Sequence, residues 1–176
     1  HSRFRETFKK YGSSKGGEWR YSAGSCHRNN VIRSFYAEYY EESLKEKQIK
    51  NILEIGIAQY GDTLGPSLRS WKELFPQANI FGADINKKIL FEEDRIQTFY
   101  TDQLNKKELS NLYNQLKHLK FDFIIDDGKH TYEANINTFE ALYPLLAEDG
   151  FFFIEDINFR ILKKYYNYLK NNFDYK

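Results

Sequence analysis

The chain reads as an α/β protein, a mostly parallel sheet with helices on both faces. Three observations predict this. From Ile49 onward, short apolar runs alternate with stretches of helical periodicity, the pattern of consecutive βαβ units. Acidic residues stand directly after several of these runs, at what would be the carboxyl edge of the sheet, where ligands bind in such folds. The length of 176 residues suits one domain with one core.

Each element has its own signal. Residues 9–30 are rich in Gly, Ser and charge and read as loop. From Val31 to Gln48, Ile32, Phe35, Tyr36, Tyr39, Tyr40 and Leu44 recur at helical spacing, so the stretch is expected to be an amphipathic helix. Asn51–Ile57 is a short apolar strand, and Thr63–Phe75 a helix closed by Pro76. Asn79–Asp84 and Arg95–Thr101 are the second and third strands; the segment after Asp84 is too short for a covering helix and reads as a loop. Lys106–His118 is helical, Phe121–Asp126 a fourth strand, Tyr132–Leu146 a helix, Gly150–Glu155 a fifth strand and Ile161–Asn171 a last helix. The chain stops soon after the fifth strand, which is therefore expected at an open edge. Residues 1–48 are expected to cover the active site and residues 49–176 to form the ligand-binding domain.

Composition narrows the partners. With 26 basic and 25 acidic residues the net charge is +1, which gives no electrostatic basis for nucleic-acid binding. A single cysteine, Cys26, excludes an internal disulfide framework and a cysteine zinc cluster. No apolar run reaches the length of a membrane span, and the polar start shows no signal peptide; a cytoplasmic location is expected. Aromatic residues make up 18% of the chain, enough for a core, a pocket wall and subunit contacts, and a homo-oligomer is expected. Cys26 and His27 could pair on a metal, but no second pair accompanies them, and they read as incidental.

Two acidic patches carry the chemistry. Asp126-Asp127-Gly128-Lys129-His130 follows the fourth strand and Glu155-Asp156 the fifth. Neighbouring strands lie about 4.8 Å apart, so Asp127, Glu155 and Asp156 are placed to hold one hard divalent cation. His130 would stand beside it as a proton acceptor. A second set lies at the ends of the first three strands. The turn Glu54-Ile55-Gly56-Ile57-Ala58-Gln59-Tyr60-Gly61 offers one glycine for close ligand approach and one for a tight turn. Asp84 can accept from both hydroxyls of a ribose, and Asp102 can meet an exocyclic amine. Together these read as a nucleoside site.

The E-x-G-x-x-x-G turn with Asp84 and Asp102 resembles the S-adenosylmethionine (SAM) site of class I methyltransferases, whose fold is Rossmann-like. The D-D-G-x-H and E-D patches, Tyr36-Ala37-Glu38-Tyr39-Tyr40-Glu41 and the helix Ser67–Pro76 narrow the resemblance to the Mg²⁺-dependent O-methyltransferases that act on macrolide sugars and related glycans. The resemblance runs from about residue 34 to 157. It implies SAM and Mg²⁺ as cofactors, with Asp127, Glu155 and Asp156 on the metal and His130 as general base, Asp127 sharing the catalytic centre. Glu54, Gly56, Gly61, Asp84, Asp102, Asp126 and Tyr36 would form the cofactor side, Asp126 by supporting it. The acceptor would be a small molecule or glycan, and surface polysaccharide is one expectation. Two departures stand out: Lys129 replaces the usual serine, and Ser34 the frequent histidine. The family's sheet also has two further strands. A non-haem iron oxygenase using His130 and Asp127, and a non-catalytic partner subunit, are the competing readings.

Overall fold

The computed structural model describes residues 2–21, 30–33 and 36–173. In chain order it contains α1 (Arg3–Lys10), β1 (Glu18–Tyr21), β2 (Asn30–Arg33), α2 (Tyr36–Leu44), β3 (Asn51–Ile55), β4 (Gln59–Tyr60), β5 (Thr63–Leu64), α3 (Pro66–Leu74), β6 (Asn79–Asp84), β7 (Glu92–Glu93), β8 (Ile96–Tyr100), α4 (Lys106–Leu116), β9 (Phe121–Asp126), α5 (Tyr132–Leu142), β10 (Leu146–Ile154) and α6 (Leu162–Asn172). The main sheet has the order β10-β9-β3-β6-β8-β7. Its pairs are parallel except β7 with β8. The expected α/β class is what the chain adopts. Because β6 follows β3 on one side and β9 flanks it on the other, the order reverses at β3, and the carboxyl ends of β3 and β9 open a crevice.

Alternation along β3 distributes side chains to the two faces. Ile52 enters a core built with α1, α2 and α3, while Leu53 and Ile55 enter the core under α4 and α5. The first core centres on the fully buried Trp71, whose ring meets Phe8 edge-on at 4.8 Å, Tyr40 at 5.1 Å and Phe123 at 5.3 Å. Such aromatic pairs add about 0.5–1.5 kcal/mol each beyond area burial.

The N-terminal third departs from expectation. Helix α1 takes Lys9 and Lys10 from the segment read as loop, and β1 falls within that segment; α1 is capped by the Ser2 hydroxyl, which accepts from the Arg5 amide. Its Phe4 and Phe8 lie one turn apart and are buried, so the segment is anchored by the core. The expected helix from Val31 starts only at Tyr36, because the β-branched Val31 and Ile32 fall in β2, which pairs antiparallel with β1. Likewise Thr63–Leu64 leave the expected helix to pair with Gln59–Tyr60, and α3 starts at Pro66, where a missing N–H costs nothing. The loop expected after Asp84 holds a single 3₁₀ turn, Lys87–Ile89, and the short β7. The fifth main strand begins at Leu146, with a register shift before Phe151, and has one neighbour among the described residues. Cys26, His27 and Ser34 lie outside the described residues.

Candidate functional site

A cavity of about 440 Å³ opens at the carboxyl ends of β3, β6, β8 and β9. Asp84, Asp102, Asp127, His130 and Asp156 line it, with Gly56, Ala58, Ile85, Thr101, Gln103 and Lys129 among the rest. The sequence-predicted acids of four strand ends, β6, β8, β9 and β10, therefore do converge, but in distinct ways.

At one end of the cavity, Asp84 is held rigid: Oδ2 accepts from the Ile57 amide at 3.0 Å and Oδ1 from the Asn86 amide at 2.8 Å. Asp102 closes a side-chain turn, with Oδ1 accepting from the Leu104 amide at 2.9 Å. Each carboxylate retains lone pairs that can face a ligand. Gly56 sits at φ +88°, and a Cβ there would lie 2.2 Å from the Asp127 carbonyl oxygen. The close approach that needs glycine is thus between the β3 and β9 strand ends, a reason different from the ligand approach expected from the motif. Gly61, at φ +57°, turns the β4–β5 hairpin and does not border the cavity.

Glu54 and Asp126 are buried supports. Glu54 accepts from the Ser67 hydroxyl at 2.8 Å and the Trp71 indole N–H at 2.7 Å, fixing α3 against β3. Asp126 accepts from Gln103 Nε2 at 2.7 Å and Asn135 Nδ2 at 2.9 Å, tying the β8 end and α5 to β9. Burial raises the pKa of both above the ordinary carboxylate value against the pull of these partners. Gln103 escaped the sequence reading. It also accepts from the Lys129 amide at 2.8 Å, and Gly128 is needed beside it, since a Cβ would lie 2.1 Å from Gln103 Oε1.

On the second side, Asp127, His130 and Asp156 each offer a ligand atom, all within 4.8 Å of one another. His130 Nε2 stands 3.8 Å from Asp127 Oδ1 and 3.9 Å from Asp156 Oδ2. Two carboxylate oxygens and an imidazole nitrogen around one open point suit a divalent cation. Both His130 and Asp156 adopt positive φ, 56° and 54°, a conformation that costs a non-glycine residue roughly 1–2 kcal/mol. Tyr36 holds Asp156 there: its hydroxyl donates to Asp156 Oδ1 and accepts from the Asp156 amide, both at 2.8 Å. Burial raises the Tyr36 pKa, so the phenol keeps its proton. Tyr36 reaches the site through Asp156 and is absent from the cavity wall.

Glu155 is turned the other way. Its Oε2 accepts from Lys15 Nζ at 3.0 Å and its Oε1 from the Tyr40 hydroxyl. Lys15, 2% exposed, also pairs with Asp127 Oδ2 and, at 3.3 Å, with Glu54. Burial disfavours its ammonium, but Glu155, Glu54 and Asp127 more than offset this and hold its pKa well above the usual value. One cation among three acids leaves surplus negative charge. Burial, with Asp127 and Glu54 nearby, pushes Glu155 up to about 8 despite Lys15. Nothing in the Gly- and Ser-rich surroundings of Lys15 marks it as buried in the sequence.

Against this geometry, a profile described as a methyltransferase domain matches residues 12–157. The chain belongs to that methyltransferase-domain family. Relatives include the 8-demethyl-8-(2-methoxy-alpha-L-rhamnosyl)-tetracenomycin-C 3'-O-methyltransferase of Streptomyces olivaceus, 35% identical over 68% of this chain and 30% of that protein. Demethylmacrocin O-methyltransferase of Streptomyces fradiae is 35% identical over 70% of this chain and 32% of its own length. The methyltransferase-domain chain thus spans about a third of these relatives. Among solved structures, the MycE methyltransferase of the mycinamycin biosynthetic pathway, in complex with Mg and SAH, superposes with a TM-score of 0.68 at 26% identity, covering 93% of this chain and 40% of MycE. The same protein has also been solved with mycinamycin VI. The resemblance to macrolide and sugar O-methyltransferases, and the class I Rossmann-like fold it implied, are borne out. Neither the iron oxygenase nor the partner-subunit reading finds support among these relatives. Among the described residues, no helix is long and apolar enough to cross a membrane.

Proposed function

We propose that this methyltransferase domain transfers the methyl group of SAM to a sugar hydroxyl with the help of a divalent cation. The observation that carries the reading is the cavity with a nucleoside-binding pair, Asp84 and Asp102, at one end and the Asp127–His130–Asp156 cluster at the other. The names of the cited relatives, both O-methyltransferases and one of them of a rhamnosyl-tetracenomycin, support a glycosidic acceptor over a surface polysaccharide, which was one of the expectations.

In this reading Asp84 accepts from the ribose hydroxyls, and Asp102 takes the exocyclic amine through the oxygen left free by Leu104. Gly56 lets the β3 end seat against Asp127, which brings the two halves of the cavity together. Asp127 and Asp156 would hold Mg²⁺ through carboxylate oxygens. A cation held there lowers the pKa of a hydroxyl that touches it. His130 accepts the hydroxyl proton; the oxygen forms its new bond to the methyl carbon as the carbon–sulfur bond breaks. The products are the methyl ether, SAH and a proton on His130. Lys129, at the cavity mouth, stands where an acidic acceptor would meet it.

Calorimetric titration of SAH, followed by methyl transfer to a panel of deoxysugar glycosides with and without Mg²⁺, tests this. Micromolar SAH binding, with turnover that EDTA abolishes, Mg²⁺ restores and His130→Ala removes, is expected. A folded protein that binds no SAH would refute the reading.

A further inference from the structure

We infer that Lys15 is a built-in counter-cation that competes with the divalent ion for Asp127 and Glu155, and so decides which carboxylates face the ligand. This rests on the metal reading above. The ammonium is aimed deliberately. It follows α1, whose Phe4 and Phe8 are buried, and the 3₁₀ turn Ser14–Gly16 packs so tightly that a Cβ on Gly16 would lie 2.8 Å from the Lys9 nitrogen. The turn has little room to shift.

What it grips is specific. Both Glu155 oxygens are taken inward, one by Lys15 and one by Tyr40, so Glu155 leaves the cavity wall. Asp127 is split: Oδ2 belongs to Lys15, while Oδ1 faces His130. Three acids at adjacent strand ends would together form a closed cage for a divalent ion. With Lys15 in place, the cavity is offered one Asp127 oxygen and Asp156, with His130 beside them. An ion held by so few protein groups keeps positions for oxygens of an acceptor. Partners of a metal-ligating group commonly set its orientation; here the partner carries positive charge, so it also repels the ion.

The sign of the effect follows. Removing the charge should tighten metal binding, whereas a lysine that merely orients Asp127 would weaken it when removed. In Lys15→Met, the Mn²⁺ dissociation constant is expected to fall at least about tenfold, since a unit charge a few ångströms away is worth that much even in a watery site. Water-proton relaxation by the bound Mn²⁺ should also drop, because Glu155 enters and displaces exchangeable water. The variant's melting temperature should be low in EDTA and recover with Mn²⁺, the ion replacing the ammonium among the buried acids. A variant that folds only with Mn²⁺ present supports the inference equally.

Mn²⁺ affinity in folded Lys15→Met that is unchanged or weaker overturns it. Should Lys15→Met fail to fold with or without Mn²⁺, Lys15→Arg decides. Its bidentate guanidinium grips the two carboxylates more firmly, so Mn²⁺ must bind about threefold or more weakly, and equal or tighter binding overturns the inference. Wild-type protein that binds SAH but no Mn²⁺ at millimolar concentration removes the metal reading itself, and the role of Lys15 with it.

Discussion

Gly56→Ala tests whether the two halves of the cavity depend on one backbone contact. The added Cβ would sit 2.2 Å from the Asp127 carbonyl oxygen, 2.7 Å from its carbonyl carbon and 2.9 Å from Gly128 Cα. Carbon and oxygen rest roughly 3.3 Å or more apart, so the β3 and β9 ends must separate by about 1 Å. All three atoms are backbone, and no rotamer change relieves them. The φ of +88° adds strain of its own, roughly 1–2 kcal/mol for a residue with a Cβ. With overpacking, about 1–3 kcal/mol, the loss of stability should be some 2–5 kcal/mol. At this chain length each kcal/mol lowers the melting temperature by about 2–4 °C. A shift of about 1 Å at Asp127 should cost about a hundredfold in methyl transfer. Gly61→Ala is the internal control, because it shares a positive φ of 57° but meets no atom within 4 Å. It should lose only the conformational 1–2 kcal/mol or so and keep SAH and Mn²⁺ affinity. Calorimetry, Mn²⁺ titration and thermal melts on both variants give the answer. Wild-type affinities in Gly56→Ala, or equal losses in both, would refute the reasoning.

Other outcomes follow from the same geometry. Asp84→Asn turns an amide N–H toward either the Ile57 or the Asn86 amide and removes a charged acceptor; SAH affinity should fall about 10- to 100-fold, from the 1.5–3 kcal/mol or so of a hydrogen bond to a charged group. Mn²⁺ affinity should not change, and a parallel loss would show that the two ends of the cavity are not separate. Asp126→Ala leaves one N–H of the buried Gln103 amide and one of the Asn135 amide without an acceptor, Gln103 keeping its bond to the Thr138 hydroxyl; at about 1–3 kcal/mol each, chemical denaturation should show a loss of roughly 2–6 kcal/mol, and a loss under about 1 kcal/mol would contradict the supporting role. Glu54 has a folded-state pKa raised by burial above 4.5, so its contribution is fully present below pH 4.5 and is lost as pH rises through the higher folded value. The stability of Glu54→Gln relative to wild type should therefore improve steadily as pH rises above 4.5; a constant difference across pH would place the Glu54 pKa at its ordinary value.

What was legible in the sequence, and what was not, divides along a physical line. Periodicity reports which face of an element is apolar, and strand ends can be read because apolar runs stop abruptly. Hence Phe121–Asp126 and Asn79–Asp84 fall where expected, and Asp84, Asp102, Asp127, His130 and Asp156 converge on one cavity. The same logic fails where a polar residue is buried. Lys15 lies among glycines and serines with no apolar pattern around it, and only the three acids it meets, Glu54 on β3 and Asp127 and Glu155 directly after β9 and β10, make its burial possible. Those acids are 39, 112 and 140 residues away along the chain. Glu155 shows the converse. Its position at a strand end was readable, but the direction of its carboxylate was not. Glu155 continues the alternation of Phe151 and Phe153, which pack against the Trp71 and Tyr40 core, while the next residue, Asp156, turns to φ of 54°. Tyr36 fixes Asp156 toward the cavity, while Tyr40, one helical turn on, draws Glu155 into the core. Thus two tyrosines at i and i+4 on α2, Tyr36 expected on the cofactor side and Tyr40 on the apolar face of the helix, sort the two neighbouring acids between the ligand side and the buried side.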